Sequence, residues 1–240
     1  MSIIVTGSSK GVGKEITRKL LQDTQHRVIG ISRSSNSETD ELKAEYGARF
    51  HQVSFDLSET NGIKELYFNE LKPLGPICGL VNNAAMAYDD LITNVSMERL
   101  LEMYQLNVFT AIHLTKYAIR DMMLHRTHGS IVFISSVSAH TAYKGLSMYA
   151  SSKGAIEAFS KGLAREWGGA GIRSNCVVPG FMDTSMSASL TEEQKQRIYN
   201  RTALKAETSL ESVAETVTFL LSDRARSITG QNIHVDSGTI

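Results

Sequence analysis

Tyr149 and Lys153 lie four residues apart in the segment SMYASSKG, within a pattern that predicts a helix. At that spacing the two side chains share one helix face. An unperturbed tyrosine has a pKa of about 10, so it exchanges protons poorly at neutral pH without help. A neighbouring ammonium favours the phenolate, and we therefore expect Lys153 to lower the pKa of Tyr149 and make it a usable general acid. A chance pairing of the two residue types is the alternative.

Other polar residues stand where predicted elements end or are interrupted. Ser136 follows the apolar run IVFIS. At a strand end, its hydroxyl could donate a hydrogen bond to a substrate oxygen on which negative charge develops. Asn82 and Asn83 end another apolar run, where asparagines are also ordinary turn residues. Asn107 lies inside a long helical pattern that it fits poorly, and a surface position is the alternative there.

A glycine-rich turn follows the first apolar run, in the segment SIIVTGSSKGVGKEI. Gly7, Gly11 and Gly13 separate the first predicted strand from the first predicted helix. Glycines in such a turn can serve the chain reversal alone. A helix N-terminus also exposes unpaired N–H groups and a partial positive charge, so this turn could hold a phosphate.

Short β-rich runs alternate with longer amphipathic patterns along the chain. We predict strands at residues 3–6, 27–32, 50–54, 77–82, 130–135, 172–178 and 232–235. We predict helices at residues 13–22, 37–46, 59–71, 97–125, 149–167 and 210–221, and residues 183–200 also have a helical pattern. This alternation of near-continuous apolar strands with helices predicts an α/β fold with a parallel sheet covered on both faces. In such sheets, ligands bind beyond the carboxyl ends of the strands.

Length and composition narrow the class of protein. The 240 residues suit one domain spanning 1–240, or two small ones, and the formal net charge of zero does not favour nucleic acid as a partner. The apolar stretches are too short to span a bilayer, and the chain enters a strand almost at once without a signal peptide. We therefore expect a cytoplasmic protein that binds neither membrane nor nucleic acid.

Cysteines and histidines give no strong signal of their own. Cys78 and Cys176 lie in apolar strand-like runs, which favours buried, reduced thiols over a disulfide or a catalytic cysteine. His125 and His128 are three residues apart but lack carboxylate partners at a polar helix end. We therefore expect no metal site.

Together these features resemble the short-chain dehydrogenase/reductase family in its compact, single-domain branch, and most of all the bacterial 3-ketoacyl-carrier-protein reductases and their paralogues. The likeness covers nearly the whole chain, and Ser136 stands 13 residues before Tyr149, as the family pattern requires. The matching motifs are T-G-x-x-x-G-x-G at 6–13, Asp56, Asn-Asn-Ala at 82–84, Asn107, Ser136, Tyr149-x-x-x-Lys153, Pro179-Gly180 with Thr184, and ITGQNIHVDSG at 228–238.

The resemblance implies a Rossmann-like, doubly wound fold with a seven-stranded parallel sheet, and it implies residue roles. The catalytic set is Asn107, Ser136, Tyr149 and Lys153, with Lys153 also holding the nicotinamide ribose and Asn107 keeping a water on a proton-relay path. The cofactor-binding set is Gly7, Ser9, Lys10, Gly11, Val12, Gly13, Arg33, Ser34, Asp56, Leu57, Asn83, Ala84, Ala85, Tyr149, Lys153, Pro179, Gly180, Met182 and Thr184. The expected substrate-lining residues are Ser136, His140, Tyr143, Met148 and Phe181, with Met86, Met182 and the segment 183–205 nearby.

Two cations indicate which dinucleotide is bound. An acidic residue at the end of the second strand would bond a ribose 2′-hydroxyl and select NAD. Here Arg33 occupies that region and Lys10 lies in the glycine turn. Both favour a 2′-phosphate, so we expect NADP(H) to be preferred over NAD(H), unless the two are merely solvated surface cations.

The expected activity is NADPH-dependent reduction of a ketone or 3-ketoacyl thioester, with a substrate that could be linked to a carrier protein or to CoA. Ala85 stands where the family usually has a glycine, and Thr127 and Ala170 stand where carrier-protein reductases commonly have arginines. Oxidation of a sugar, steroid or hydroxy acid is the main alternative, and a non-catalytic NADP-binding regulator is a third. A nucleotide-sugar epimerase shares Tyr-x-x-x-Lys, but usually in a longer chain.

Small residues recur every four positions in the helix that carries Tyr149. They are Ala150, Gly154, Ala158 and Gly162. This stripe could pack against the protein's own sheet, or it could let a second helix approach closely. Because relatives pair this helix and the 97–125 helix with their copies, the resemblance implies a homotetramer, with the C-terminal HVDSGTI as a second interface.

Overall fold

The computed structural model describes residues 1–141, 143–184 and 190–240. Within these ranges the chain forms seven strands, which are β1 (Ser2–Thr6), β2 (Arg27–Ser32), β3 (Phe50–Ser54), β4 (Ile77–Asn82), β5 (Ser130–Ile134), β6 (Arg173–Pro179) and β7 (Asn232–Val235). They pair in parallel, in the order β3-β2-β1-β4-β5-β6-β7. The predicted doubly wound α/β fold is therefore confirmed.

Helices connect the strands and cover both faces of the sheet. In the described part of the chain they are α1 (Gly11–Asp23), α2 (Ser37–Tyr46), α3 (Ile63–Leu66), α4 (Met97–Tyr104), α5 (Ala111–His125), α6 (Ser138–Thr141), α7 (Ser147–Trp167), α8 (Glu192–Tyr199) and α9 (Leu210–Leu221). One apolar core packs α3, α5 and α7 against the sheet. A second core packs α1, α2 and α9 against the opposite face.

Two predicted long helices contain a widened turn. The predicted helix 97–125 is α4 and α5 joined by a π-helical turn at Gln105–Thr110, and α3 continues into another at Tyr67–Leu71. π-helical turns are rare and often occur at functional sites. The turn at Gln105–Thr110 contains Asn107, the residue that fitted the helical pattern poorly.

The prediction of a helix over 183–200 is wrong at its start. Asp183 and Thr184 are not helical, and α8 begins only at Glu192, where a capping box of Thr191 and Gln194 satisfies the first N–H groups. Residues 185–189 of that prediction lie outside the described residues. The sequence also gave no sign of α6, which is only four residues long.

The order of the strands reverses between β1 and β4. The two strands are neighbours in the sheet, and the connections from them lead to opposite sides. This switch point opens a crevice at the carboxyl ends of the strands, where ligands bind in doubly wound folds. The glycine turn follows β1 and Asn83 follows β4, so both lie at the crevice.

The stripe of small residues on α7 does not pack against the protein's own sheet. Ala158 and Gly162 are exposed, and a Cβ added at Gly154 or Gly162 would meet no described atom within 4 Å. Beside the stripe, exposed apolar side chains on and near α5 include Phe109 and Leu124. No helix in the described ranges is long and apolar enough to cross a bilayer.

Candidate active site

The glycine turn is shaped to receive an anion. Gly7 and Gly11 have positive φ angles of 69° and 54°, which glycine adopts without strain. Lys10 occupies the N-cap of α1, and its side chain has no acceptor with which to cap the helix. The first N–H groups of α1 are therefore available to a phosphate oxygen.

Gly13 allows α1 to lie directly against the turn. A Cβ built on Gly13 would stand 2.1 Å from the Gly7 carbonyl oxygen and 2.5 Å from Asn83 Nδ2. No side chain fits there without moving the backbone. Thr184 closes the turn from the other side, with its Cγ2 3.9 Å from the Cβ position of Gly11.

Asn83 joins the turn to the end of β4. The Thr6 hydroxyl accepts hydrogen bonds from the backbone N–H groups of Asn83 and Ala84, both at 2.9 Å. Asn83 Nδ2 donates to the Thr6 carbonyl at 2.8 Å. The predicted residues Ala84 and Ala85 follow as half-buried residues. Asn83 therefore stabilises the glycine turn by linking it to the end of β4, and it is not only a turn residue.

A chain of hydrogen bonds runs from the turn to the end of β2. Ser8 Oγ donates to Gln52 Oε1 at 3.1 Å, and Gln52 Nε2 donates to Ser32 Oγ at 2.8 Å. Ser32 Oγ in turn donates to the Ser34 carbonyl at 2.9 Å. On the surface, Asn36 Nδ2 donates to the Ser9 carbonyl at 2.9 Å. The loop after β2 is thus held beside the glycine turn.

This arrangement places the cations Lys10 and Arg33 at the same side of the crevice. Both are exposed, and neither has a carboxylate within 4.0 Å among the described residues. The nearby Glu38 pairs instead with Lys14 at 2.6 Å. The donors and cations present fit the phosphates of a dinucleotide cofactor.

The remaining predicted cofactor residues surround the crevice. Asp56 accepts hydrogen bonds from the Ser58 N–H and hydroxyl, and these bonds hold the pKa of its carboxyl below the ordinary value. Leu57 is buried, and its carbonyl accepts a hydrogen bond from Thr110. The others are Val12, which is buried in α1, Pro179 and Gly180 at the end of β6, and Met182, which packs on the second core.

Tyr149, Ser136 and Lys153 converge at the end of β5. The side chains of Tyr149 and Ser136 are hydrogen bonded. Ser136 Oγ also accepts from the Ser138 N–H at 3.2 Å and the Ser138 hydroxyl at 3.0 Å. Lys153 Nζ donates to the Ile134 carbonyl at 2.8 Å and lies 5.7 Å from the centre of the Tyr149 ring.

The net shift of the Tyr149 pKa in this structure is upward, opposite to the shift expected from the spacing to Lys153. Burial raises the pKa of Tyr149 to about 12, and the opposing effect comes from the Ser136 hydrogen bond. Lys153 is itself buried, which lowers the pKa of its ammonium to about 8. Spacing predicted the shared face correctly, but it could not predict that desolvation outweighs the attraction between the two groups.

The Asn107 side chain is hydrogen bonded to the backbone of Met86. Asn107 Oδ1 accepts from the Met86 N–H and Nδ2 donates to the Met86 carbonyl, both at 2.9 Å, and Nδ2 also donates to Ser152 Oγ at 3.1 Å. A small cavity of about 10 Å³ lies against Asn107 and Lys153. Its volume is that of a single water.

The predicted substrate-lining residues divide into two groups. Tyr143 is 39% exposed, and Phe181 is half-buried with its ring 5.9 Å from that of Tyr199. Met148 is instead buried under the site in a cluster with Tyr88. His140 Nε2 lies 3.0 Å from the buried carboxylate of Glu157. Part of the predicted lining segment 183–205, at 185–189, lies outside the described residues.

Three contributors to the site were missed at the level of sequence. Glu157 lies four residues after Lys153, so the helical spacing that linked Tyr149 to Lys153 could have revealed it. Asn36 begins a capping box, a signal readable from the sequence. No pattern in the sequence pointed to Ser138. Of the weaker candidates, Cys176 is buried and Cys78 half-buried, and both are free. His125 Nε2 lies 4.0 Å from Asp121 Oδ2, so the expectation that this histidine has no carboxylate partner is wrong.

Comparisons with known proteins agree with this geometry. A family model described as Enoyl-(Acyl carrier protein) reductase matches residues 7–239. The 3-oxoacyl-(acyl-carrier-protein) reductase of Haemophilus influenzae is 33% identical over 235 residues, covering 98% of this chain and 96% of the relative. The enzyme of that name from Aquifex aeolicus is 34% identical over 237 residues, covering 98% and 95%.

Solved structures of dehydrogenases are also similar to this chain. A provisionally named NAD(P)-dependent gluconate 5-dehydrogenase from Beutenbergia cavernae, with NADP bound at low occupancy, has a TM-score of 0.90 and 28% identity, covering 99% of this chain and 96% of the other. A provisionally named gluconate dehydrogenase from Agrobacterium tumefaciens has a TM-score of 0.92 and 25% identity, covering 99% and 95%. The chain belongs to the short-chain dehydrogenase/reductase family. It is an NAD(P)-dependent oxidoreductase that acts on a CH–OH or C=O group.

Proposed function

We propose that the protein reduces a ketone or a 3-ketoacyl thioester to the secondary alcohol with NADPH, and that Tyr149 is the general acid. The observation that carries this proposal is the hydrogen bond between the side chains of Tyr149 and Ser136 at the end of β5, beside the buried Lys153. Reduction needs a proton donor beside the substrate oxygen. Oxidation needs a base there.

Ser136 prepares the substrate oxygen for reduction. Its Oγ accepts two hydrogen bonds from Ser138, so its own proton is free to be donated. A substrate carbonyl that takes the place of Tyr149 as its partner receives that proton in a hydrogen bond. The bond strengthens as negative charge develops on the oxygen. Bound NADPH supplies the hydride.

Lys153 and Asn107 support the proton transfer. When Tyr149 gives up its proton, the ammonium of Lys153 stabilises the phenolate across the short distance between them. The cavity of about 10 Å³ against Asn107 and Lys153 has room for one water, which would lie beside the Lys153 ammonium. Asn107 keeps that cavity in shape by fixing Met86.

We assign NADPH rather than NADH because of two exposed cations, Lys10 and Arg33. Lys10 lies in the glycine turn and Arg33 in the loop after β2, and the hydrogen bond from Asn36 to the Ser9 carbonyl joins the loop to the turn. Both cations are exposed, and an arginine binds phosphate through several donors in a fixed geometry. The NADP bound to the Beutenbergia cavernae protein supports this assignment.

Arg33→Asp is expected to reverse the preference between the two cofactors. A carboxylate at this position would repel a 2′-phosphate and accept a hydrogen bond from a 2′-hydroxyl. NADPH binding should weaken about 30-fold or more, whereas NADH binding should change about threefold at most. Fluorescence titration of both cofactors measures this. Arg226→Asp, at an exposed position after α9, is the control, and equal wild-type affinities for both cofactors would contradict the assignment.

The substrate class rests on the relatives. The two bacterial relatives at 33% and 34% identity are named as 3-oxoacyl-(acyl-carrier-protein) reductases. However, Thr127 and Ala170 replace the two arginines expected for carrier-protein docking, and Thr127 is occupied by a hydrogen bond to the Ile77 carbonyl. The structural neighbours named for gluconate support the second candidate, oxidation of a sugar acid or another secondary alcohol.

A substrate panel separates these candidates. NADPH oxidation is followed with 3-ketoacyl thioesters, plain ketones, ketosugars and an enoyl thioester, and NADP reduction with the matching alcohols. We expect turnover of at least one ketone or 3-ketoacyl thioester. Turnover of the enoyl thioester alone, of alcohols alone, or cofactor binding without any turnover would contradict the proposal.

We also propose that residues 1–240 act as one domain in the cytoplasm and assemble as a homotetramer. The outward stripe of Ala150, Gly154, Ala158 and Gly162 adjoins a groove of about 690 Å³ between α5 and α7. A second copy of the same face would cover both, and the C-terminal HVDSGTI would form the other interface. Closed two-fold symmetry makes each interface self-complementary.

Gly154→Leu is expected to reduce the assembly and the activity together. A Cβ at Gly154 meets nothing within the chain, so the variant should fold, but a leucine would obstruct a second helix. Light scattering after size exclusion should give about four times the chain mass of 26.4 kDa for the wild type and less for the variant. Gly154→Ala is the control. An active wild-type monomer would rule the tetramer out.

A further inference from the structure

The carboxylate of Glu157 is buried behind the site and joins four elements. Glu157 is 8% exposed and lies one turn after Lys153 on α7. Its Oε1 accepts a hydrogen bond from Ser135 Oγ and lies 3.0 Å from His140 Nε2 on α6. Its Oε2 accepts a 2.8 Å hydrogen bond from Asn232 Nδ2 on β7. None of these contacts belongs to the chemistry described above.

Three residues of α7 hold three consecutive residues at the end of β5. Tyr149, Lys153 and Glu157 are spaced by four and therefore share one face of the helix. Their partners are the Ser136 hydroxyl, the Ile134 carbonyl and the Ser135 hydroxyl. The position of Ser136 relative to Tyr149 thus depends on how the two preceding residues are held.

Packing alone does not explain why a carboxylate occupies this buried position. Burying a carboxylate costs free energy that a neutral side chain of the same size would largely avoid. Lys153 is also buried, at 3% exposed, so the two opposite charges lie one helical turn apart in a medium that screens them weakly. The charge of Glu157 therefore acts on the Lys153 ammonium.

We propose that Glu157 is a positioning residue of the active site, which fixes the end of β5 so that Ser136 faces Tyr149 and holds Lys153 in its ammonium form. The inference rests on the proposed roles of Tyr149, Ser136 and Lys153. Glu157 itself contacts no substrate, and it acts through Ser136 and Lys153.

The electrostatic surroundings set the direction of the pH effect. Burial lowers the pKa of Lys153 to about 8, whereas Glu157 and Cys176 oppose that shift. The titratable groups that face Lys153 or Glu157 from the packed elements are Tyr149 on α7, Cys176 on β6, His140 on α6 and, against the His140 ring, His234 on β7. Removing the Glu157 charge should therefore let Lys153 lose its proton at a lower pH.

Glu157→Gln tests the proposal because it keeps the size of the side chain and removes the charge. We expect kcat at neutral pH to fall about tenfold, with the Kd for NADPH changed less than about threefold. In the protein without cofactor, NMR of isotopically labelled lysine Cε, assigned with Lys153→Met, should show Lys153 titrating at a lower pH than in the wild type. The rate at alkaline pH should be lost at correspondingly lower pH. Glu166→Gln, at an exposed position of the same helix, is the control.

A second variant separates positioning from charge. Ser135→Ala removes the link between Glu157 and β5 and leaves the carboxylate in place, so kcat should fall while the Lys153 titration stays as in the wild type. A folded Glu157→Gln protein with wild-type kcat or an unchanged Lys153 titration overturns the proposal, and so does wild-type kcat in Ser135→Ala if Glu157→Gln does not fold. If Tyr149→Phe retains full activity, the proposed function fails instead, and the Lys153 titration still reports the effect of Glu157.

Discussion

Tyr149→Phe should lower kcat about a thousandfold while leaving the Kd for NADPH within about threefold of the wild type. The ring of Tyr149 packs on the cluster of Tyr88, Met103 and Met148, and phenylalanine preserves that packing. Only the hydroxyl bonded to Ser136 is removed. Steady-state kinetics on the best substrate of the panel, together with a fluorescence titration of NADPH, measure the two quantities.

Tyr104→Phe is the matched control for this prediction. Tyr104 packs against the same cluster, and its hydroxyl donates to Ser151 Oγ at 2.8 Å, away from Ser136. The same chemical change at Tyr104 should leave kcat within about threefold of the wild type. Wild-type turnover by Tyr149→Phe would show that another group donates the proton, and an equal loss in both variants would indicate damage to the cluster.

Gly13→Ala should disrupt both cofactor binding and stability. The added Cβ would stand 2.1 Å from the Gly7 carbonyl oxygen, which belongs to backbone and cannot turn aside. Overpacking of this kind costs about 1–3 kcal/mol and occasionally more. We expect the free energy of unfolding to fall by about 3 kcal/mol and NADPH binding to weaken at least about tenfold, because the turn must open to admit the methyl group.

Gly169→Ala controls for the loss of a glycine as such. Gly169 follows α7 at the end remote from Tyr149, and a Cβ there would meet nothing within 4 Å in the described part of the chain. Chemical denaturation and NADPH titration of both variants complete the experiment. If Gly13→Ala binds NADPH as tightly as the wild type does, the close approach of α1 to the turn has no part in holding the cofactor.

Much of the scaffold was predictable because it depends on local patterns. Buried parallel strands read as continuous apolar runs, so β2, β3, β4 and β7 match the predicted bounds. β1 and β5 differ by one residue at one end, and β6 is shifted by one residue at both ends. The face shared by Tyr149 and Lys153 follows from helical spacing alone. The resemblance to a known family added the order of the site residues.

What could not be predicted depends on contacts between distant elements. The pKa of Tyr149 rises because the folded chain removes water from it, and no spacing rule contains that desolvation. The contacts of the His140 ring with Glu157 and His234 were not predicted either, because they join α6 to α7 and β7. The helical pattern over 183–200 failed at Asp183 and Thr184 for a different, local reason, because the capping box of Thr191 and Gln194 that begins α8 was overlooked in the sequence.

The transfer of hydrogen from NADPH to a carbonyl carbon is the central claim, and isotope transfer tests it most directly. NADPH deuterated at the transferable position of the nicotinamide is incubated with the wild-type protein and the best ketone or 3-ketoacyl thioester of the panel. We predict that deuterium appears on the carbinol carbon of the product, as detected by NMR or mass spectrometry, and that Tyr149→Phe forms this product at a strongly reduced rate. Failure of deuterium to reach the carbinol carbon with every carbonyl tested, or its appearance on a saturated carbon formed from an enoyl thioester, would contradict the account.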